Sequence, residues 1–357
     1  MSEGKKPFIL VLAGGSGTRF WPASTRETPK QVLPGLGPDG ETLLEATLKR
    51  LKSLTRPERI YVMTAQDQLA AVRPHCLDLP DDQLLFEPEP KNTGPAVALG
   101  VLQLARKGAG PHDPVLVIPA DAWVDDDEAF RATLRAACRA AEAHKAIVTV
   151  GIEATRPETG YGWIETGEPV EVEGADGVVG VQSFREKPDS EGAEALLAAG
   201  ARWNAGIFAF RLGYLWWLLG DLDEQWDLAM TMMSACLVDG DAAGLANEYA
   251  NFESISLDHA VIERAPHLLC VPGSFGWSDL GSWDAVGAVL PEVSGGRGAA
   301  ASVQAVDASG NVVFAPGQEV ALLGVDDLVV VSVDGRILVA PRDRAQEVRA
   351  LAEGEGA

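Results

Sequence analysis

The chain has 357 residues, of which 46% are hydrophobic and 23% charged, a balance typical of a globular protein and unlike that of a disordered one. Its 52 acidic and 29 basic side chains give a formal net charge of −23, and such a surface repels nucleic acid at long range. No stretch approaches the roughly 18 apolar residues of a membrane-spanning helix. The polar N-terminus runs directly into a short apolar segment, and the four cysteines are far apart. We therefore expect a cytoplasmic protein without a signal peptide that binds neither nucleic acid nor a membrane.

The first half of the chain alternates short apolar runs with longer segments of helical periodicity. This alternation implies right-handed crossovers and a mostly parallel sheet covered on both faces, so we predict a Rossmann-like α/β fold. In such sheets ligands bind at the carboxyl ends of the strands. The predicted strands are 8–13, 60–64, 84–86, 115–119 and 146–152, and the predicted helices are 42–54, 66–76, 93–107 and 127–143.

The second half is less regular, with predicted strands at 161–166, 179–184 and 207–210 and a helical stretch at 214–237. A glycine-rich stretch near residue 294 marks a domain boundary. We predict a large catalytic domain over residues 1–290 and a small β-rich domain over residues 291–357 that serves packing or oligomerisation. No internal repeat is strict enough to predict a β-helix. From the length of the tail after residue 284 we expect no attached isomerase domain.

The segment directly after the first predicted strand, residues 13–19, is rich in glycine. Glycine lets backbone amides approach a phosphate closely, and the planar guanidinium of Arg19 suits phosphate oxygens. The segment lacks the Gly-Lys-Ser/Thr ending of a P-loop and the third glycine of the dinucleotide fingerprint, which argues against a dehydrogenase. A merely tight turn remains an alternative. The candidate nucleotide-binding residues here are Ala13, Gly14, Gly15, Gly17 and Thr18.

A second cation, Lys30, follows eleven residues after Arg19, and the stiff Pro22 and Pro29 can hold it over the glycine-rich loop. The loop and Pro29-Lys30 together resemble the signature of the sugar-1-phosphate nucleotidyltransferases. In that family the loop wraps the nucleoside triphosphate, so the resemblance implies that Arg19 and Lys30 neutralise its phosphates as catalytic cations. Further motifs of the family follow in its own order over residues 9–284, about four-fifths of the chain.

The resemblance assigns a role to each later motif. Residues 87–96 are similar to the base-binding segment of the guanylyl branch, and residues 119–121 and 276–283 to the segments that carry two metal-binding aspartates. Residues 161–164, 184–188 and 203–208 are similar to the sugar-phosphate side. The implied residues are Glu87, Asn92 and Thr93 for the nucleotide, Asp121 and Asp279 for the metal, Gly162, Glu186 and Asn204 for the sugar, and Lys187 as a catalytic cation on the sugar phosphate.

The activity that the resemblance implies is transfer of GMP from GTP to mannose 1-phosphate, which gives GDP-mannose and pyrophosphate. This chemistry needs no protein nucleophile, because the sugar-phosphate oxygen can itself attack the α-phosphorus in line. Carboxylates suit Mg²⁺, the expected cofactor, with Mn²⁺ as the alternative. We also expect a homodimer.

Three positions depart from the family pattern, namely Gly94 in place of alanine, Ala122 in place of histidine and His259 in place of tyrosine. Two alternatives therefore stay open. One is a guanylyltransferase for another sugar 1-phosphate, such as a manno-heptose, or an enzyme that uses another nucleotide. The other is a nucleotide-sugar sensor without turnover, which predicts loss of cations or aspartates that this chain retains.

Overall fold

The computed structural model describes residues 5–15, 17–25 and 27–354, and its strands and helices are given for these ranges. Each strand and each helix is numbered in chain order. The strands are β1 (Phe8–Leu12), β2 (Ile60–Ala65), β3 (Leu84–Glu87), β4 (Pro114–Pro119), β5 (Trp123–Val124), β6 (Ile147–Glu153), β7 (Gly162–Pro169), β8 (Val179–Glu186), β9 (Arg202–Arg211), β10 (Leu268–Gly273), β11 (Trp277–Ser278), β12 (Glu292–Val293), β13 (Gly296–Val306), β14 (Asn311–Leu323), β15 (Leu328–Val333) and β16 (Arg336–Pro341).

Helices separate the early strands, as the alternating pattern predicts. Among the described helices none is long and apolar enough to cross a membrane. The helices are α1 (Leu43–Leu51), α2 (Leu69–Val72), α3 (Thr93–Arg106), α4 (Asp127–Ala143), α5 (Ser190–Ala198), α6 (Leu212–Leu222), α7 (Glu224–Asp239), α8 (Ala242–Ala250), α9 (Leu257–Ala260), α10 (Trp283–Val289) and α11 (Arg349–Gly354).

Nine strands form a central sheet in the order β3-β2-β1-β4-β9-β6-β10-β8-β7. Only β8 and β9 run against the other seven, so the sheet is mostly parallel. Successive side chains of β1 enter opposite core clusters, Ile9 and Val11 on one face and Phe8 and Leu10 on the other. Both faces are therefore covered, and the predicted α/β class is confirmed.

Two predicted helices are interrupted, and each interruption has a local cause. The segment 66–76 is divided into α2 and two flanking 3₁₀ turns, the second of which contains Pro74. Proline lacks the N–H of a continuing helix, which explains the break. The stretch 214–237 is divided into α6 and α7 by Asp223, whose backbone is extended and whose carboxylate caps the Gln225 amide.

The five C-terminal strands form a separate sheet in the order β12-β13-β14-β15-β16. The pairings β13–β14 and β14–β15 are parallel, although only residues 307–310 and 324–327 connect these strands. Parallel neighbours with such short connections coil like a solenoid rather than crossing over through a helix. The predicted small β-rich module is present, and its coiled form was not predicted because no strict repeat accompanies it.

The C-terminal module packs against the region that holds the glycine-rich loop. Trp283 is fully buried between them, with its ring 5.2 Å from that of Phe20 and 5.1 Å from that of Phe314 in β14. Its indole N–H donates to the Trp21 carbonyl at 3.2 Å. Arg342 adds an ion pair to Asp284 at 2.6 Å. The module therefore supports the segment just after Asp279 and the end of the glycine-rich loop together.

Candidate active site

The glycine-rich loop begins where β1 ends, between the parallel neighbours β2 and β4. Its first residue, Ala13, is anchored on both sides, since its N–H donates to the Met63 carbonyl at 2.7 Å and its carbonyl accepts from Gln31 Nε2 at 2.6 Å. Gly17 has φ +62°, and a Cβ there would lie 2.7 Å from Cβ of Lys30, so only glycine fits this turn. Gly15 is exposed and Thr18 half-buried, whereas Ser16 lies outside the described residues.

Lys30 lies beneath this loop, with only 5% of its surface exposed. Its ammonium pairs with Asp121 Oδ2 at 2.9 Å, donates to the backbone carbonyl of Asp279, and lies 5.3 Å from the ring centre of Phe20. Asp121 lies two residues after β4, while Asp279 directly follows the short strand β11. The lysine therefore joins the two predicted metal aspartates, which are 158 residues apart in the chain.

The Asp279 carboxylate is held by two donors. Its Oδ1 accepts from the hydroxyl of Tyr161 and from the Gly281 N–H at 3.0 Å. Arg19 reaches the same turn, because its Nη1 donates to the Gly281 carbonyl at 3.2 Å. Burial and the adjacent carboxylate raise the pKa of Tyr161, so its hydroxyl stays a donor. The four predicted groups Arg19, Lys30, Asp121 and Asp279 thus meet at one site.

Glu87 ends β3 and is buried beside the same loop. Its Oε2 accepts from the Tyr249 hydroxyl and from the Lys91 N–H at 3.4 Å. A Cβ placed on Gly14 would lie 3.3 Å from Oε1, so this second oxygen faces the loop. Burial raises the pKa of Glu87.

Asn92 and Thr93 start helix α3 next to Glu87. The Asn92 side chain caps the Thr93 N–H at 2.9 Å from a backbone with φ +69°. Thr93 Oγ1 accepts from the Leu257 N–H at 2.9 Å, which joins this turn to the start of α9. Asn92 is exposed and Thr93 half-buried, so their hydrogen bonds within the protein support the turn in which they lie.

The residues predicted for the sugar phosphate form a second cluster. A Cβ on Gly162 would lie 2.6 Å from Glu186 Oε2 and 3.2 Å from Cβ of Asn204, so glycine permits this close approach. Lys187 Nζ donates to Glu186 Oε1 at 2.8 Å, and Lys187 itself has a left-handed backbone with φ +44°. Gly162, Glu186 and Asn204 are therefore adjacent, with Lys187 at their edge.

Asn204 is oriented by neighbours that the sequence analysis did not single out as site residues. Its Oδ1 accepts from Thr149 Oγ1 at 2.8 Å, and its Nδ2 donates to Asp258 Oδ1 at 2.8 Å. Burial, with Glu186 nearby, raises the pKa of Asp258 to about 6. Asp258, Tyr161 and Tyr249 were all missed. The family-like motifs around Asp258 and Tyr161 were signals for two of them, whereas nothing local marks Tyr249.

The fit of a divalent metal rests on Asp121 and Asp279. The described residues contain no cluster of three or more histidine, cysteine or acidic side chains suited to a metal. Two carboxylates nevertheless match a hard cation that completes its shell with water and phosphate oxygens. Within the described ranges, Asp121 Oδ1 and Asp279 Oδ2 accept no hydrogen bond from protein, so each carboxylate keeps an oxygen for such an ion.

Known proteins are similar to this chain in sequence and in fold. A family model described as nucleotidyl transferase matches residues 8–294, and one described as a MannoseP isomerase/GMP-like beta-helix domain matches residues 302–353. The alginate biosynthesis protein AlgA of Pseudomonas aeruginosa is 35% identical over 351 residues, which cover 95% of this chain and 70% of that protein. The mannose-1-phosphate guanylyltransferase of Escherichia coli is 35% identical over 354 residues, covering 98% and 73%.

A solved structure is similar over almost the whole chain. It is described as a mannose-1-phosphate geranyltransferase from Thermus thermophilus and has 37% sequence identity and a TM-score of 0.87. The match covers 99% of this chain and 100% of that chain. The parallel coil of β13, β14 and β15 overlaps the residues that the β-helix model matches. The chain therefore belongs to the nucleotidyl transferase family.

Proposed function

We propose that this enzyme transfers GMP from GTP to mannose 1-phosphate and releases pyrophosphate. The observation that carries the proposal is the buried Lys30 ammonium, which joins Asp121 and Asp279 beneath the glycine-rich loop. A fixed cation next to two carboxylates suits a reaction in which charge moves between phosphate groups. The name of the Escherichia coli relative supports the choice of sugar and nucleotide.

GTP binds along the glycine-rich loop in this proposal. The backbone amides near Gly14, Gly15 and Gly17 cradle its phosphates, and Arg19 and Lys30 neutralise their charge. Oε1 of Glu87, which faces Gly14, accepts from N1–H and the 2-amino group of guanine. Adenine presents no such adjacent pair of donors, so this contact favours GTP over ATP.

Two carboxylates of this chain would hold the divalent metal. Asp121 and Asp279 would hold Mg²⁺, or Mn²⁺ in its place, and the bound ion would neutralise phosphate charge. Lys30 joins the two segments that carry these carboxylates. Tyr161 and Gly281 fix one oxygen of Asp279, which leaves the other for coordination.

Mannose 1-phosphate binds at the cluster around Gly162. Lys187 contacts its phosphate, and Glu186 and Asn204 contact its hydroxyls, with Asn204 oriented by Asp258. These residues contribute by holding the sugar-phosphate oxygen in line with the α-phosphorus. The bond from the α-phosphorus to pyrophosphate then breaks as the new P–O bond forms.

We extend the proposal to the protein as a whole. The catalytic domain comprises residues 1–290, and residues 291–357 form the second domain. The enzyme acts in the cytoplasm as a homodimer.

The test is pyrophosphate release with Mg²⁺ across a matrix of nucleotides and sugar 1-phosphates. The matrix combines GTP, ATP, UTP and dTTP with mannose, glucose and manno-heptose 1-phosphates. We expect release with GTP and mannose 1-phosphate, and its loss in Asp279→Asn, which keeps the size of the side chain and removes its charge. Preference for another pair would move the substrate assignment, whereas nucleotide binding without release from any pair would refute an enzyme.

A further inference from the structure

Tyr161 contacts both halves of the candidate site. Its hydroxyl donates to Oδ1 of Asp279 on the metal side, and its backbone carbonyl accepts from the Lys187 N–H at 3.1 Å on the sugar-phosphate side. It also directly precedes Gly162, whose Cα lies against Glu186. One residue thus connects groups that are otherwise on separate elements.

The ring of Tyr161 is held in one orientation by two tryptophans. Trp203 lies edge-to-face at 5.3 Å between ring centres, and Trp277 lies edge-to-face at 5.5 Å. Trp277 belongs to β11, directly before Asp279, and Trp203 directly precedes Asn204. The hydroxyl therefore cannot turn away from Asp279 without disturbing packing on both sides.

The backbone hydrogen bond from Lys187 to Tyr161 supports an unusual backbone conformation at Lys187. Lys187 has φ +44°, a left-handed conformation that is unfavourable for a non-glycine residue unless its surroundings hold it. Its N–H donates to the Tyr161 carbonyl, which helps to hold that backbone. A shift of Tyr161 would therefore move the Lys187 backbone as well as the Asp279 carboxylate.

We propose that Tyr161 is a positioning residue that fixes the Asp279 carboxylate for the divalent metal and links it to the sugar-phosphate contact at Lys187. This inference rests on the proposed function, because it assumes that Asp279 binds the metal. The hydroxyl and the Gly281 amide occupy Oδ1, so Oδ2 is the oxygen presented to the ion. Groups that orient a metal ligand in this way typically change metal affinity about 10–100-fold when removed.

The test uses Tyr161→Phe, which deletes the hydroxyl and keeps the ring between its two tryptophans. Electron paramagnetic resonance measures Mn²⁺ binding to the enzyme saturated with GDP-mannose. We expect the dissociation constant for Mn²⁺ to rise about tenfold or more. The metal concentration for half-maximal pyrophosphate release should rise in parallel, and excess metal should restore most of kcat, a rescue that a general structural defect would not show.

Tyr249→Phe is the matched control, because it deletes another tyrosine hydroxyl that donates to a carboxylate, in this case the buried carboxylate of Glu87. We expect it to raise the KM for GTP and leave the Mn²⁺ dissociation constant within twofold. An unchanged Mn²⁺ constant in Tyr161→Phe, a loss of kcat that metal does not rescue, or an equal rise in Tyr249→Phe would each overturn the inference. Failure of the wild-type protein to bind GDP-mannose or to release pyrophosphate would refute the proposed function instead.

Discussion

Replacement of Lys30 by methionine removes the ammonium beneath the glycine-rich loop and keeps an unbranched chain against the ring of Phe20. In the wild-type protein this ammonium pairs with Asp121 Oδ2 at 2.9 Å and donates to the Asp279 carbonyl. If Lys30 also contacts the triphosphate, Lys30→Met removes one preorganised donor from the reacting phosphates. Loss of such a donor lowers kcat by about 10²–10³, which corresponds to about 2.7–4 kcal/mol.

The stability change follows from the unequal burial of the ion pair. The Lys30 side chain is 6% exposed and that of Asp121 is 43% exposed. Water can therefore hydrate the carboxylate that remains, and the loss should lie between that of an exposed pair and that of a buried one. We expect the free energy of unfolding to fall by about 1–2 kcal/mol.

The assay combines steady-state pyrophosphate release at saturating substrates with urea unfolding. Lys52→Met is the matched control, because Lys52 is about half exposed and its nearest carboxylate, on Asp78, is 3.6 Å away and almost fully exposed. It should leave kcat unchanged and alter the free energy of unfolding by less than about 0.5 kcal/mol. A kcat of Lys30→Met within threefold of wild type, with a folded protein, would refute a role for this cation in the reaction.

Three further predictions concern packing, pH and the sugar site. Phe314→Ala empties the space beside Trp283 and should lower the free energy of unfolding by about 3–5 kcal/mol in urea; a loss below about 1 kcal/mol would contradict tight packing of the two modules. Because the pKa of Asp258 is raised to about 6, its ionisation destabilises the native state as pH rises from about 4 to 7. Asp258→Asn cannot ionise and lacks this loss of stability. The difference in free energy of unfolding, variant minus wild type, should therefore increase by up to about 3 kcal/mol over this pH range. A difference independent of pH would show that the carboxyl titrates normally. Gly162→Ala places a Cβ 2.6 Å from Glu186 Oε2, so the Glu186 side chain must move, at a cost of order 1–3 kcal/mol. The KM for mannose 1-phosphate should rise about tenfold or more. An unchanged KM would show that the close contact of Gly162 with Glu186 is not needed for sugar binding.

The fold class could be predicted because it is encoded in local periodicity. Buried strands such as 8–12 are continuous apolar runs, and the helix predicted over 42–54 begins as α1 directly after the capping box of Thr42 and Glu45. Breaks were harder to predict. Pro74 was a visible signal against a continuous helix, whereas the extended backbone of Asp223 depends on the packing of α6 against α7.

The candidate site was predictable only where a motif is contiguous. Gly14, Lys30 and Asp279 lie in short recognisable segments, and their roles remain predictions that the proposed experiments test. The contacts among these segments are long-range, such as that between Tyr161 and Asp279, 118 residues apart. Sequence spacing does not specify which side chains meet when strands from both halves of a sheet pair. The parallel coil after residue 290 was missed for the same reason, because no strict sequence repeat marks which residues of its strands pair.

The most direct test of GMP transfer follows the two phosphorus atoms into the product. Mannose 1-phosphate and the α-phosphate of GTP carry different radioactive phosphorus isotopes, and the products are separated after incubation with Mg²⁺. In-line attack by the sugar phosphate predicts that both labels appear together in one sugar nucleotide and that the released pyrophosphate carries neither. Mannose 1-phosphate label in free phosphate or pyrophosphate, or its complete retention in unreacted sugar phosphate, would contradict the proposed reaction.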